Sequence, residues 1–258
     1  MKVQLLPSTF EADGTASQRQ HLACLIVDDK VAFDAGSLAL ACTDEQRANV
    51  RDVVISHVHL DHIAGLPLFI DDLYSTLDAP VRIHVTEEMA EALERDIFNW
   101  TIYPRFSELK NAKGSVLEYK MFDQENRFTA AHLSVLPFAV NHSVQSYGFL
   151  VEASGTSIAI TGDMAHTPDI WTILNESRNL SAIFIECAFP NELSDIAETS
   201  HHMTPARLAV ELEQFERTDV PIYALNIKPM FRDAILAQLT DLAIDNLTVM
   251  EIGKVYDL

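Results

Sequence analysis

The sequence predicts an α+β chain built as a four-layer αβ/βα sandwich, two mixed β-sheets face to face with helices outside. Three observations predict it. Strand-like runs come in two batches, and each batch is interleaved with helical spacing. Hydrophobic residues make up 48% of 258, ample material for a core shared by two sheets. A ligand-rich loop, His57-Val58-His59-Leu60-Asp61-His62, follows directly on the apolar run Val53-Val54-Ile55, as when a strand carries side chains to the edge of a sheet. No repeat, low-complexity stretch or linker divides residues 1–258, which read as a single domain.

Taken in order, Val3–Leu6, Leu22–Val27 and Val31–Phe33 read as strands, with Asp34-Ala35-Gly36-Ser37 as the turn after them. Thr43 with Gln46 spells a capping box for a short helix reaching about Val50. Arg51–Ile55 is a buried strand. Leu66–Leu77 and Glu87–Asn99 have helical spacing, with a strand at Val81–Val85 between them. From 100 to 127 the pattern is irregular and reads as an insertion or lid. Strands return at Ala130–Leu136, Tyr147–Glu152 and Ser157–Thr161. Thr167-Pro168 and Thr204-Pro205 each read as an N-cap followed by proline at the first helical position, opening helices to about Asn175 and Phe215. Ala182–Ile185 and Ile222–Asn226 are strands, Lys228–Leu242 is helical, and short strands close the chain.

The formal net charge of −20 repels polyphosphate backbones and anionic membranes, which argues against a nucleic-acid polymer or a membrane as partner. A small anionic substrate stays compatible, because bound cations dominate a local field. Cys24, Cys42 and Cys187 sit in apolar surroundings without paired spacing, the pattern of reduced thiols. No apolar run reaches transmembrane length, and Met1–Pro7 is too short in apolar residues for a signal peptide. The expected location is cytoplasmic, or periplasmic if a leader has been removed.

Imidazole nitrogen and carboxylate oxygen are ligands that zinc, manganese and iron accept. By spacing, His57 and His59 suit one ion, and Asp61 and His62 a second. Two cations need more donors than one loop supplies. His142, at a turn after a strand, and Asp163, at the end of another, are the candidates, and a carboxylate such as Asp163 can bridge two cations. Trp100, Tyr103 and Phe106 either stack on a purine or pack their own segment.

These residues carry a resemblance. The HxHxDH tetrad resembles that of the metallo-β-lactamase superfamily. The longer run from His57 through Ile63-Ala64-Gly65-Leu66 is similar to the signature of the class II cyclic-nucleotide phosphodiesterases. Asp34-Ala35-Gly36-Ser37, Phe98-Asn99-Trp100 through Tyr103-Pro104-Arg105-Phe106, Ile185-Glu186-Cys187-Ala188-Phe189-Pro190 and His202-Met203-Thr204-Pro205 also resemble that family. The resemblance implies the metallo-β-lactamase fold and hydrolysis of a 3′,5′-cyclic nucleotide, cAMP-like, to the 5′-nucleotide by a metal-activated hydroxide. It implies two divalent metal ions, zinc first, with manganese, iron or magnesium accepted at the second site. His57, His59 and His142 would hold the first ion, Asp61 and His62 the second, and Asp163 would bridge. His202 matches a proton-donor position, and His201 stands where the family usually has glycine; with Asp61 they are the candidate catalytic residues. Relatives are commonly homodimers.

One position departs from the pattern. Asn226, in Leu225-Asn226-Ile227-Lys228-Pro229, stands where relatives complete the second site with histidine. An amide oxygen is a weaker ligand than imidazole, and His166 or His201 is the alternative donor. The rival readings are a lactonase, thioesterase or sulfatase on the same scaffold, or a nucleotide-binding module with a decayed second site. A tRNA-processing ribonuclease shares the tetrad, but the acidic balance and the lack of a basic arm count against it.

Overall fold

The computed structural model describes residues 1–124 and 126–258. In chain order the first part holds β1 (Lys2–Leu5), β2 (Leu25–Val27), β3 (Val31–Phe33), α1 (Leu38–Ala41), α2 (Asp44–Asn49), β4 (Asp52–Val54), α3 (Leu60–Ile63), α4 (Leu66–Leu73), β5 (Val81–Val85), α5 (Glu87–Asp96), the small hairpin β6 (Lys110–Asn111) and β7 (Gly114–Ser115), and β8 (Leu117–Met121). There follow β9 (Phe128–Ala130), β10 (Leu133–Val140), β11 (Ser146–Ala153), β12 (Thr156–Ile160), α6 (Asp169–Glu176), β13 (Leu180–Glu186), α7 (Ser194–Thr199), α8 (Pro205–Leu212), β14 (Ile222–Leu225), α9 (Arg232–Asp241), β15 (Leu247–Val249) and β16 (Val255–Asp257).

One sheet has the order β16-β1-β2-β3-β4-β5-β8 and the other β15-β14-β13-β12-β11-β10-β9. Each is mixed: antiparallel from β16 to β3 and from β9 to β12, parallel from β3 to β8 and from β12 to β15. Side-chain parity along β13 shows how the layers form. Ala182 and Phe184 join the cluster that holds Phe33 and Phe149, whose rings lie 5.6 Å apart across the two sheets. Ile183 and Ile185 point the other way, into the cluster with Trp171 of α6, Leu208 of α8 and Ile235 of α9. On the far face of the first sheet, Leu66 and Phe69 of α4 and Leu93 of α5 are buried. The order is helix, sheet, sheet, helix, as the strand batches predict.

Local signals held at some ends and failed at others. Thr43 and Gln46 form the capping box, and Thr204 caps α8 by accepting from Arg207 N, with Pro205 at the first helical position. Thr167 does not cap. Its hydroxyl accepts from Asn141 N at 3.1 Å and donates to Ala165 O at 2.9 Å, so α6 starts one residue later, at Asp169, with Pro168 before it. The segment 100–127 conceals β8, which pairs parallel with β5 through Leu117-Glu118-Tyr119-Lys120-Met121. β10 runs on to Val140, through Pro137. β9 pairs only with Leu133, Ser134 and Val135, so the proline's missing N–H falls where that side has no neighbour.

The topology gathers one edge. β3, β4, β12, β13 and β14 all end there, and β10, two antiparallel steps from β12, runs the same way. Close backbone approach holds the edge together. Gly36 N donates to Ala23 O, and Ala23 N donates to Asp61 O. A Cβ on Gly36 would lie 1.9 Å from Asp61 O, so only glycine fits.

At the opposite end of β4, buried Asp52 accepts from Arg82 Nε and His84 Nε2, each at 2.8 Å. Burial alone would raise its pKa, but the hydrogen bonds from Arg82 and His84 outweigh it and hold the carboxyl at about 2. A carboxyl depressed in the fold stabilises above its unfolded value and loses that contribution as the pH falls through the folded one. Urea unfolding of the wild type and Asp52→Asn between pH 5 and 2 should therefore diverge at the upper end, by about 2 kcal/mol. Parallel stability curves would contradict this role.

Candidate metal centre

Each donor reaches the edge on a different element. Ser56 and His57 follow β4, and Tyr147 N donates to Ser56 O, tying this loop to the second sheet. His59 precedes α3, whose single turn carries Asp61 and His62. His142 follows β10. Asp163 follows β12 and Gly162, whose φ of +65° makes a sharp exit from the strand.

Three imidazole nitrogens meet at one point. His59 Nδ1 lies 3.1 Å from His57 Nε2 and 3.2 Å from His142 Nε2. Beside them His62 Nε2 lies 3.2 Å from Asp163 Oδ2, without hydrogen-bond geometry, and 4.0 Å from Asp61 Oδ2. His57 groups with His62 and Asp163, and His142 with Asp163 and His202, the donor atoms of each group lying within 4.8 Å of one another.

The groups behind the ligands fix their tautomers. Asp34 Oδ1 accepts from Ser56 N at 2.8 Å, and the Ser56 hydroxyl donates to Asp34 at 2.8 Å. Ser56 Oγ has then spent its proton and must accept from His57 Nδ1, 3.0 Å away. His62 Nδ1 donates to Asp34 Oδ2 at 2.7 Å, and His142 Nδ1 donates to the carbonyl of His201 at 2.9 Å. The Nε2 atoms of His57 and His142 are left as inward lone pairs, while His62 presents Nε2 to Asp163.

His57 Nε2 and His142 Nε2 both turn a lone pair to His59 Nδ1, at 3.1 and 3.2 Å, and a single His59 proton cannot serve both as well as a cation among the three would. Nitrogens bound to zinc at about 2.0–2.1 Å stand about 3.3 Å apart at the corners of a tetrahedron. The residues present therefore fit a metal ion, and His62 Nε2, buried and without a hydrogen-bond partner among the described residues, fits a second. Protonation agrees. Burial pushes His57 well below its ordinary value, and burial also lowers His59 and His142, so all three are neutral at neutral pH, the form a metal ion accepts. Burial opposes charge on His62 too, but Asp163 and Asp34 raise it well above the usual range. Burial likewise opposes charge on Asp163, and His62 beside it holds the carboxylate ionised well below its usual range.

Two acids in this centre lie outside the ligand set read from the sequence. Asp34, at φ +60°, is the hub behind His57 and His62; its only sequence signal was the Asp-Ala-Gly-Ser turn. Glu186, at the end of β13, is fully buried. Its Oε1 accepts from Met164 N, Met203 N and, at 2.9 Å, from His202 Nδ1, while Oε2 has no partner among the described residues. Burial raises the pKa of Glu186. His202 is raised as well: burial opposes its charge, and the Glu186 carboxylate overrides that. Its Nε2 makes no hydrogen bond to the described residues.

The remaining sequence candidates fall as follows. His201 turns its side chain away, to Asn141 Oδ1 at 3.0 Å, and contributes its carbonyl instead. Its φ of +55° ends α7 in the left-handed region, a place glycine fills without strain. Asp61 stands at the mouth, one third exposed, 3.7 Å from Lys228 Nζ. His166 pairs with buried Glu211, away from the ligands. Asn226 reaches the cluster, but with its amide nitrogen, which donates to Asp163 Oδ1. Phe106 is core, packed on Phe98 and Tyr103, and Trp100 is exposed. Two cavities flank the ligands. One, of about 710 Å³, is lined by Asn141, His166, His201 and Arg207, and one of about 240 Å³ by Gln20, Asp61, Asn226 and Lys228.

Fold and ligand cluster together define a metallo-β-lactamase-fold chain with a metal-binding edge. It superposes on unliganded yeast PDE1 with a TM-score of 0.79 at 16% identity, over 100% of this chain and 99% of that one. The metallo-β-lactamase fold protein YhfI from Bacillus subtilis gives 0.75 at 14% identity, over 99% of each chain. The family model of the class II cAMP phosphodiesterases matches residues 15–249, and the chain belongs to that family. A probable 3′,5′-cyclic-nucleotide phosphodiesterase of Yersinia pestis is 26% identical over 213 residues, 72% of this chain and 59% of that protein. The chain spans little more than half the length of the curated relatives it matches. Among the described residues no helix is long and apolar enough to cross a membrane, and the three cysteines are free.

Removing the Asp34 carboxylate releases two ligand tautomers at once. Asp34→Ala should weaken zinc binding about 10- to 100-fold, read by competition with a chromophoric chelator. An unchanged affinity would show that Asp34 serves the fold alone.

Proposed function

We propose that this chain hydrolyses a 3′,5′-cyclic nucleotide to the 5′-nucleotide with the help of two divalent cations, zinc at the three-imidazole site. What carries the reading is the convergence of three neutral imidazoles beside a buried carboxylate, in a chain of the class II cAMP phosphodiesterase family. His57 Nε2, His59 Nδ1 and His142 Nε2 would hold one cation; Asp61, His62 Nε2 and Asp163 Oδ2 would hold the other, for which manganese, iron or magnesium also serves. Bound divalent cations supply water of lowered pKa and neutralise charge on phosphoryl oxygens.

The chain's own groups do the rest. The departing 3′ oxygen is a poor leaving group as a bare alkoxide and needs a proton. His202 is the donor in this reading. Glu186 holds its Nδ1–H at 2.9 Å and raises its pKa, which leaves Nε2 to deliver the proton. Lys228, more than a third exposed beside Asp61, offers the phosphate a positive charge in an otherwise acidic molecule. The two cavities beside the ligands leave room for a small phosphodiester, and residues 1–258 act as one hydrolase domain.

His202→Ala should lower kcat about 10²- to 10⁴-fold on cyclic nucleotide with metal content unchanged; unaltered turnover would remove it from the mechanism. A general acid must be protonated, so activity falls as pH rises through its pKa. Glu186→Gln withdraws the charge that raises this pKa, and the alkaline limb of the kcat profile should move to lower pH. A limb that stays in place would contradict the pairing. A panel of cyclic nucleotides, lactones and thioesters separates the phosphodiesterase from other hydrolases of this fold.

A further inference from the structure

Asn226 is oriented by a hydrogen bond that cannot be reversed. Its backbone N–H donates to Gln20 Oε1 at 2.9 Å. A backbone N–H has no other role, so Gln20 must present its oxygen there. Gln20 Nε2 then donates to Asn226 Oδ1 at 2.7 Å. Asn226 therefore turns Nδ2 toward Asp163 Oδ1. Flipping either amide would set donor against donor. The backbone supports the pose: Asn226 leaves β14 at φ +56°, a conformation asparagine tolerates better than most residues. Gln20 is largely buried.

The two oxygens of Asp163 are thus divided. Oδ1 is held by the Asn226 amide, and only Oδ2 faces His62 Nε2 and His57 Nε2, at 3.2 Å and 4.0 Å. The first cluster offers three imidazoles backed by Asp34, Ser56 and the His201 carbonyl. The second offers His62, one oxygen of Asp163 and the partly exposed Asp61, with an N–H2 group where a further donor atom would complete it. The 240 Å³ cavity bounded by Gln20, Asp61, Asn226 and Lys228 opens onto this side.

We propose that the Gln20–Asn226 pair is a positioning device that turns a hydrogen-bond donor onto Asp163 and so makes the two cation sites unequal: one tight, at His57, His59 and His142, and one exchangeable, at Asp61, His62 and Asp163. Asn226 is then not a ligand. The inference rests on the cation-dependent reading above. Its consequence is ordered filling, with the second cation entering and leaving from the cavity side.

The test is metal stoichiometry and affinity, independent of turnover. Full-length protein is loaded with zinc or manganese, dialysed and analysed by mass spectrometry, and the second equivalent is titrated by calorimetry. Wild type should retain one zinc per chain, with the second bound about 100-fold more weakly. Asn226→His should retain two. Asn226→Ala should leave the second affinity unchanged or raised, because no ligand is lost. Gln20→Ala should raise it about tenfold, because the amide can then turn its oxygen inward. Two tightly held ions in wild type, or a fall in second-site affinity in Asn226→Ala, would overturn the proposal while sparing the cation-dependent reading. Failure to retain any metal would sink both. Should Gln20→Ala fail to fold, as judged by circular dichroism, the Asn226→Ala result decides.

Discussion

Three neutral imidazoles forced nitrogen to nitrogen, with at most one proton among the facing atoms, are the constraint on which this molecule turns. Each of the three inward nitrogens is neutral because burial disfavours charge on its ring. His57 and His142 are aproton at Nε2 because an acceptor behind each has taken the proton to Nδ1. The arrangement is unfavourable by itself and becomes favourable around a cation. Much of the edge exists to impose it. Asp34 serves His57 through Ser56 and serves His62 directly, so one carboxylate sets two ligands. The left-handed turn at His201 aims a carbonyl at a third.

The sandwich explains why such crowding is affordable. β4 brings its loop from one sheet, and β10, β12, β13 and β14 bring theirs from the other. Two packed apolar clusters fix the distance between those strand ends, and a few glycines let the loops touch. A carboxylate such as Glu186, buried with one oxygen unpartnered among the described residues, is tolerable because Oε1 accepts three N–H donors. Against the acidic background of the chain, cations at this edge, together with Lys228, would mark a place where an anion is welcome.

What the sequence disclosed tracks how local the cause is. The tetrad was legible because four donors fall within six residues after an apolar run. The layer order was legible because strands buried on both faces, such as Ala182–Ile185, are unbroken apolar runs. Asp34 and Glu186 kept their roles hidden: each is a single acid at a strand end, and only the meeting of distant strands shows what it faces. β8 was hidden because an edge strand with alternate polar residues has the look of an irregular segment. The lower end of β10 was masked by Pro137, which is harmless only where the neighbouring strand has already stopped. Asn226 shows the sharpest limit. Its position was read, but the direction of its amide depends on Gln20, more than two hundred residues away.

X-ray absorption at the zinc edge tests the central claim most directly, because it counts and ranges the atoms around the ion without reference to catalysis. Protein carrying one zinc per chain should show a shell dominated by imidazole nitrogen at about 2.0–2.1 Å, with the multiple-scattering pattern of histidine rings, and replacing His59 by alanine should remove one ring from it. A shell of water or carboxylate oxygen alone, unchanged by that replacement, would mean that the converging imidazoles hold no metal.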